Sequence, residues 1–178
     1  WRNLTNGGGY SLQIIDDSLD PLTDWDSKDN WRTSSNLGGT PGSDDENTIP
    51  APGTVVINEV LAHSHDGAPD WIEFYNGSNA AVDMSGWFLS DGSLDLQKYT
   101  FPAGSVIAAG DYLVLYENQH FGNEGAVGVN TAFALSENGE TVYLSSGSNG
   151  VLTGYRNQED FGASETGVSF GRYTTNDG

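Results

Sequence analysis

The chain reads as an all-β protein, an immunoglobulin-like β-sandwich carrying an N-terminal β-strand and loop appendage. Three observations lead there. Glycine is the most frequent residue, 24 of 178, with 6 prolines, while Val, Thr, Tyr, Phe and Trp recur in short runs, the composition of a many-turned β fold. Seven or more such runs follow one another with turn residues every eight to twelve positions. Helical periodicity is absent from every window. A chain of this length can bury roughly 70% of its extended surface as one unit, so the lack of any cysteine is no obstacle to folding.

The organising stretch is Val55 to Asp91, with three β-type runs at Val55–Leu61, Trp71–Tyr75 and Trp87–Leu89. In the middle run Ile72 and Phe74 alternate with Trp71, Glu73 and Tyr75, giving one apolar face and one that mixes aromatic with charged. Asn76-Gly77 and Asp91-Gly92 turn the chain, and Met84, Trp87 and Leu89 supply core side chains between them. Trp87 is expected to lie between the sheets.

Upstream, Tyr10 to Ile15 forms a strand whose alternate apolar residues Tyr10, Leu12 and Ile14 need a partner beyond their own segment. Residues 16–30 crowd Asp16, Asp17, Asp20, Asp24, Asp26 and Asp29 around Leu19, Leu22 and Trp25, a polar loop in which aspartates start turns. Hard carboxylate oxygens at this spacing also suit calcium, with Asp20, Asp24, Asp26 and Asp29 as ligands, although the spacing is not an EF-hand's and Lys28 falls among them. Gly38 to Gly53, with an acidic knot at Asp44-Asp45-Glu46, reads as a linker. Residues 1–53 are therefore an N-terminal segment, expected to be the tail end of a preceding module, and residues 54–178 the main domain. Gly9-Tyr10-Ser11-Leu12 echoes Gly167-Val168-Ser169-Phe170, as a tandem array would.

Downstream, Tyr112–Tyr116 places Tyr112 and Val114 on one face and Leu113 and Leu115 on the other, which predicts a central strand. Asn138-Gly139 between Phe133–Leu135 and Val142–Leu144 predicts a hairpin with a type I′ turn. Asn149-Gly150 predicts a second turn, and Val168–Tyr173 a last strand.

With 25 acidic and 6 basic residues the net charge is −19, which opposes nucleic acid and anionic membranes. No apolar run is long enough for a membrane span. A surface rich in Asp, Ser, Thr, Asn and Gly and poor in Lys suits a secreted or cell-surface protein, and the absence of an initiating Met reads as a fragment of a longer one.

The order INEV, DWIEFYN, MSGWFLSDG, YTFPAGSVIAAGDYLVLY and FALSENGETVYL, over roughly residues 54–173, resembles the lamin tail domain. The bacterial secreted and surface branch is the closer likeness, through SENGE, LTGY and GVSFGRY. The resemblance implies an immunoglobulin-like module used for interaction, without catalytic residues. For lamins it implies protein and DNA partners, but Arg2, Lys28, Arg32, Lys98, Arg156 and Arg172 leave no basic face for DNA.

Other constellations carry less. His63-Ser64-His65-Asp66 with Asp70 suits zinc in residue type but equally a solvated loop, and a three-histidine site needs His120 to fold back. No Ser-His-Asp arrangement or nucleophile elbow is present. Asn58 and Glu59 could meet Glu73 across paired strands. Trp25, Trp31 and Tyr155 lie outside the best core pattern, so they are candidate ring-stacking residues for a glycan, or clamps for the appendage. The expected function is a non-catalytic adhesion, display or docking module with a protein or glycan partner; the alternative is a carbohydrate-binding module attached to an extracellular enzyme.

Overall fold

The computed structural model describes residues 5–15, 18, 20–43, 45 and 53–173. The described strands run in order β1 Tyr10–Ile14, β2 Trp31–Leu37, β3 Val55–Leu61, β4 Trp71–Asn76, β5 Val82–Asp83, β6 Phe88–Ser90, β7 Tyr99–Thr100, β8 Val106–Ile107, β9 Tyr112–Tyr116, β10 Gly139–Ser148, β11 Val151–Gly162 and β12 Phe170–Gly171. Two four-stranded antiparallel sheets, β11-β10-β6-β7 and β12-β3-β4-β9, enclose the core, and β5 pairs with β8 beside them. The all-β class and immunoglobulin-like architecture expected from the sequence are what forms.

Alternation decides which side chains enter the core. Ile57 and Val60 of β3, Ile72 and Phe74 of β4, and Val142 and Leu144 of β10 are all buried. Trp87 is buried as expected, 4% exposed, with its ring 5.2 Å from that of Tyr155. Asn76 closes β4 from inside: its amide donates to the carbonyls of Ala80 at 2.8 Å, Ile107 at 3.0 Å and Ala108 at 3.1 Å. Its side-chain oxygen accepts from the Ser78 amide and hydroxyl.

The sheets are also joined by side chains of β11 that serve the backbone of β3. β12 pairs with β3 only at Val60 and Glu59, so the earlier part of that edge has no strand beside it. There the Tyr155 hydroxyl donates to the Val55 carbonyl and accepts from the Val55 amide, and Asn157 Oδ1 accepts from the Ile57 amide at 2.8 Å. Tyr155 is 2% exposed, so its expected role as a ring-stacking surface is overturned: the ring belongs to the core and the hydroxyl to the seam.

Three further expectations change. The tight hairpin forms at Asn149-Gly150, where both residues have positive φ, 51° and 78°, as a type I′ turn demands. At Asn138-Gly139 only Gly139 does, φ 94°, and an added Cβ would sit 2.5 Å from the Phe161 carbonyl oxygen. Phe133 and Leu135 are buried without being a strand; Phe133 stacks on Phe121 at 4.8 Å, so packing replaces the ladder expected there. β9 is an edge strand rather than a central one: among the described strands it pairs with β4 alone, and Tyr112 and Tyr116 on its outward face are exposed. The last strand contracts to Phe170–Gly171.

The appendage supplies its own partner strand. β1 pairs antiparallel with β2, whose polar sequence hid it: Thr33, Ser34 and Ser35 are buried with their hydroxyls bonded. The hairpin docks on β11 through Tyr10 Oη, which donates to the Leu152 carbonyl at 3.2 Å, and through Thr33 Oγ1, which donates to the Gly154 carbonyl. Asp45, the described member of the acidic knot, bonds the Ser35 amide at 2.7 Å and pairs with Arg32 at 3.0 Å. Burial alone would raise its carboxyl, yet Ser35 and Arg32 bring it below the usual value.

Trp87→Ala should cost about 3–5 kcal/mol in a denaturant titration, through a cavity between the sheets. Tyr155→Phe keeps the ring but strips the Val55 backbone of its partner, at about 1–3 kcal/mol. Burial pushes the Tyr155 hydroxyl from 10.0 to about 12, with the Val55 bond opposing that rise. Its contribution is complete below the unfolded value and is lost as pH rises through the folded one. Stability should thus fall between about pH 10 and 12 in the wild type and fall less in Tyr155→Phe, read from melting curves across that range.

Candidate functional site

The outward side of the β12-β3-β4-β9 sheet follows from register. Trp71 lies opposite Tyr116, Glu73 opposite Val114 and Tyr75 opposite Tyr112. On the other side of β4, Leu61 faces Trp71, Glu59 faces Glu73 and Val56 faces Tyr75. The Asn76 backbone N–H donates to the Asp111 carbonyl and the Glu117 backbone N–H to the Asp70 carbonyl, which by the two-residue repeat puts the ladder bonds between them at Leu113 and Leu115. Tyr112, Val114 and Tyr116 therefore occupy non-hydrogen-bonded pairs, where backbones approach to about 4.5 Å and side chains crowd together.

The result is an exposed aromatic face. The Tyr75 and Tyr112 rings are 4.8 Å apart and tilted by 35°. Four residues earlier in β4, roughly 13 Å away, Trp71 and its β9 partner Tyr116 form the second aromatic row. Tyr112 is 56% exposed and Tyr116 38%, while Trp71, Tyr75 and Val114 are half-buried. Between the rows sit Glu59 and Glu73. A β-bulge between Ile57 and Glu59 lets Asn58 reach across, and its Nδ2 donates to Glu73 Oε1 at 2.7 Å, the cross-strand contact expected from sequence. Glu59 Oε1 accepts from the Ser169 hydroxyl.

A groove of about 520 Å³ opens beside this sheet between residues 62–70 and Glu117, Asn118, Leu135 and Glu137. His63 is occupied there: Nδ1 lies 3.0 Å from the Ser164 carbonyl, and Nε2 is 3.0 Å from Thr166 Oγ1 and 3.5 Å from Glu137 Oε2. It fastens the loop that leads into β12. Asp70 Oδ1 accepts from the Ser64 amide at 2.9 Å. Burial raises the Glu117 carboxyl, and the Asp70 carboxylate adds to the rise. His120 does not join His63; its Nδ1 accepts from the Tyr116 amide at 2.9 Å and caps the end of β9.

The acidic loop serves its own backbone. Asp20 Oδ1 accepts from the Leu22 amide and Asp24 Oδ2 from the Asp20 amide, the turn-starting role of such residues. Asp26 lies in the same turn region, and the Asp29 side chain, like Asp16 and Asp17, is outside the described residues. Among the described residues no group of three or more His, Asp or Glu could hold a metal ion. Trp25 and Trp31 meet edge to face at 5.6 Å, with Trp31 Nε1 donating to the Trp25 carbonyl at 2.7 Å. They clasp the appendage's own loop.

Two sheets with a closed aromatic core and an open aromatic face define an immunoglobulin-like module. The chain matches the Lamin Tail Domain family over residues 48–158, and it belongs to that family, a family of immunoglobulin-like, non-catalytic domains. No curated protein matches it.

Glu117 supplies a test of the groove. Its ionised form is held at a cost, present above the folded pKa and relieved as pH falls through it toward 4.5. Glu117→Gln removes the charge and keeps an acceptor for the Leu135 amide, so its Tm at neutral pH should exceed the wild type's by about 1–2 °C. That difference should vanish as the pH approaches 4.5.

Proposed function

We propose that the domain is a non-catalytic binding module of a secreted or cell-surface multidomain protein, and that it docks a protein partner through the outer face of β4 and β9 in adhesion or display. One observation carries this: Trp71, Tyr75, Tyr112 and Tyr116 are presented together on a sheet surface that no described element covers. Aromatic residues are enriched where interfaces are buried, because a large rigid ring gains area at little entropic cost. A glycan is the second reading, since aromatic rings beside Asn58 and Glu73 offer both stacking and hydrogen bonding.

The whole chain, immobilised, should be challenged with a panel of extracellular-matrix and cell-surface proteins and with a glycan array. Binding to a panel protein should fall at least about tenfold in the Trp71→Ala/Tyr112→Ala variant, with Trp25→Ala as the unaffected control. Binding unchanged in the double variant would put the docking surface elsewhere. Glycan binding lost in that variant, with no protein bound, would favour a carbohydrate-binding module attached to an extracellular enzyme.

A further inference from the structure

We infer that this face is read by cationic side chains, so that its occupant is a Lys- or Arg-bearing segment of the partner protein laid across β4 and β9. The inference rests on the docking reading above and adds the chemistry of the occupant. Glu59 and Glu73 stand directly opposite one another on adjacent strands, an arrangement in which like charges repel at close range. The hydrogen bonds that their carboxylates accept come from neutral donors, Ser169 and Asn58. Neither is in an ion pair among the described residues, whereas Arg32, Lys98 and Arg172 are committed to Asp45, Asp91 and Glu159.

The surroundings favour the same ligand. Aromatic rows flank the two carboxylates, and ring faces attract ammonium and guanidinium groups while the rings themselves exclude water. A net charge of −19 draws cationic segments in and turns anionic ones away. A neutral sugar could use the rings and the carboxylate oxygens, but it would leave the Glu59–Glu73 repulsion in place; a cation removes it. The peptide's alternate side chains would fall on the face at the same two-residue spacing as the rows beneath.

The test is an NMR titration of the whole chain with three probes: an alternating lysine–serine peptide, its glutamate–serine counterpart and a neutral glucan oligosaccharide. The lysine peptide should shift the Trp71 indole and the amides of Tyr112–Tyr116, with Kd weakening about tenfold from roughly 0.02 M to 0.3 M salt. Glu73→Gln keeps the acceptor for Asn58 and should weaken that Kd about fivefold; Tyr112→Ala should weaken it about threefold to tenfold. Glu165→Gln, on the exposed loop before β12, removes one charge that belongs neither to the aromatic rows nor to the Glu59–Glu73 pair and should leave the Kd within twofold.

Equal weakening by Glu165→Gln and Glu73→Gln would overturn the inference, because the attraction would then be diffuse. The glucan shifting the face while the lysine peptide does not would overturn it and leave the docking face standing. Silence with all three probes also overturns it. The docking reading itself falls separately, if a bound panel protein keeps its affinity for the Trp71→Ala/Tyr112→Ala variant.

Discussion

A half-open strand edge inside the sandwich is the constraint on which the rest of the architecture depends. β3 has β4 along one side, but β12 reaches only Val60 and Glu59 on the other. Backbone amides left dry and unpaired at Val55 and Ile57 would cost more than most single contacts return. Tyr155 and Asn157, on the opposite sheet, meet that need with a hydroxyl and an amide oxygen. The two sheets are thereby fixed in register with each other as well as packed. Trp87 then has a defined surface to lie against, the Tyr155 ring.

Fixing β3 from its inner side determines what is left outside. Once Val55, Ile57 and Val60 face the core, the pleat sends Val56, Glu59 and Leu61 outward, and cross-strand register carries the same choice to β4 and β9. Trp71, Tyr75, Tyr112 and Tyr116 reach the surface because their neighbours Ile72, Phe74 and Leu115 are required within. The face is a consequence of the core's parity. Its chemistry is not: lysine, threonine or serine would satisfy the same pleat, and the chain places four aromatic rings and two carboxylates there instead.

Much of the fold was legible because alternation and turn chemistry act locally. Val55–Leu61 and Tyr112–Tyr116 coincide with β3 and β9, and Trp87 is buried as its place in the family-like block MSGWFLSDG implies. Tertiary choices were not legible. The Trp71-Glu73-Tyr75 face is visible as a mixed row, but apolar residues on both sides of Tyr112–Tyr116 suggest a central strand with two covered faces, which hides the open one. Burial of one tyrosine and exposure of another is settled by which sheet face each lies on and whether another layer covers it, and that is set by pairing across many residues. Tyr155 differs in the opposite sense: it is flanked by Gly154 and Arg156, and its burial depends on two groups distant in sequence, the Trp87 ring and the Val55 backbone. β2 is not legible because Thr33, Ser34 and Ser35 read as loop residues, and their hydroxyls become acceptable inside only with the Gly154 carbonyl, the Asn36 carbonyl and the Asp45 carboxylate to receive them.

An exposed aromatic sheet face beside an edge strand is ordinarily an invitation to self-association. Here the same features that would recognise a cation work against a second copy. Stacking two faces would bring Glu59 and Glu73 of one molecule against those of another, within molecules that each carry −19 overall. Strand addition along β9 is restricted at its end, where the Tyr116 amide donates to His120 Nδ1 and the His120 amide donates to the Tyr116 carbonyl. Two alternate residues, Tyr112 and Val114, keep outward-pointing backbone groups on that edge, a short length for a stable ladder. Carboxylates at the centre of the rings thus serve selectivity twice, by admitting a positively charged occupant and by refusing the one partner that is always at hand, another copy of the chain.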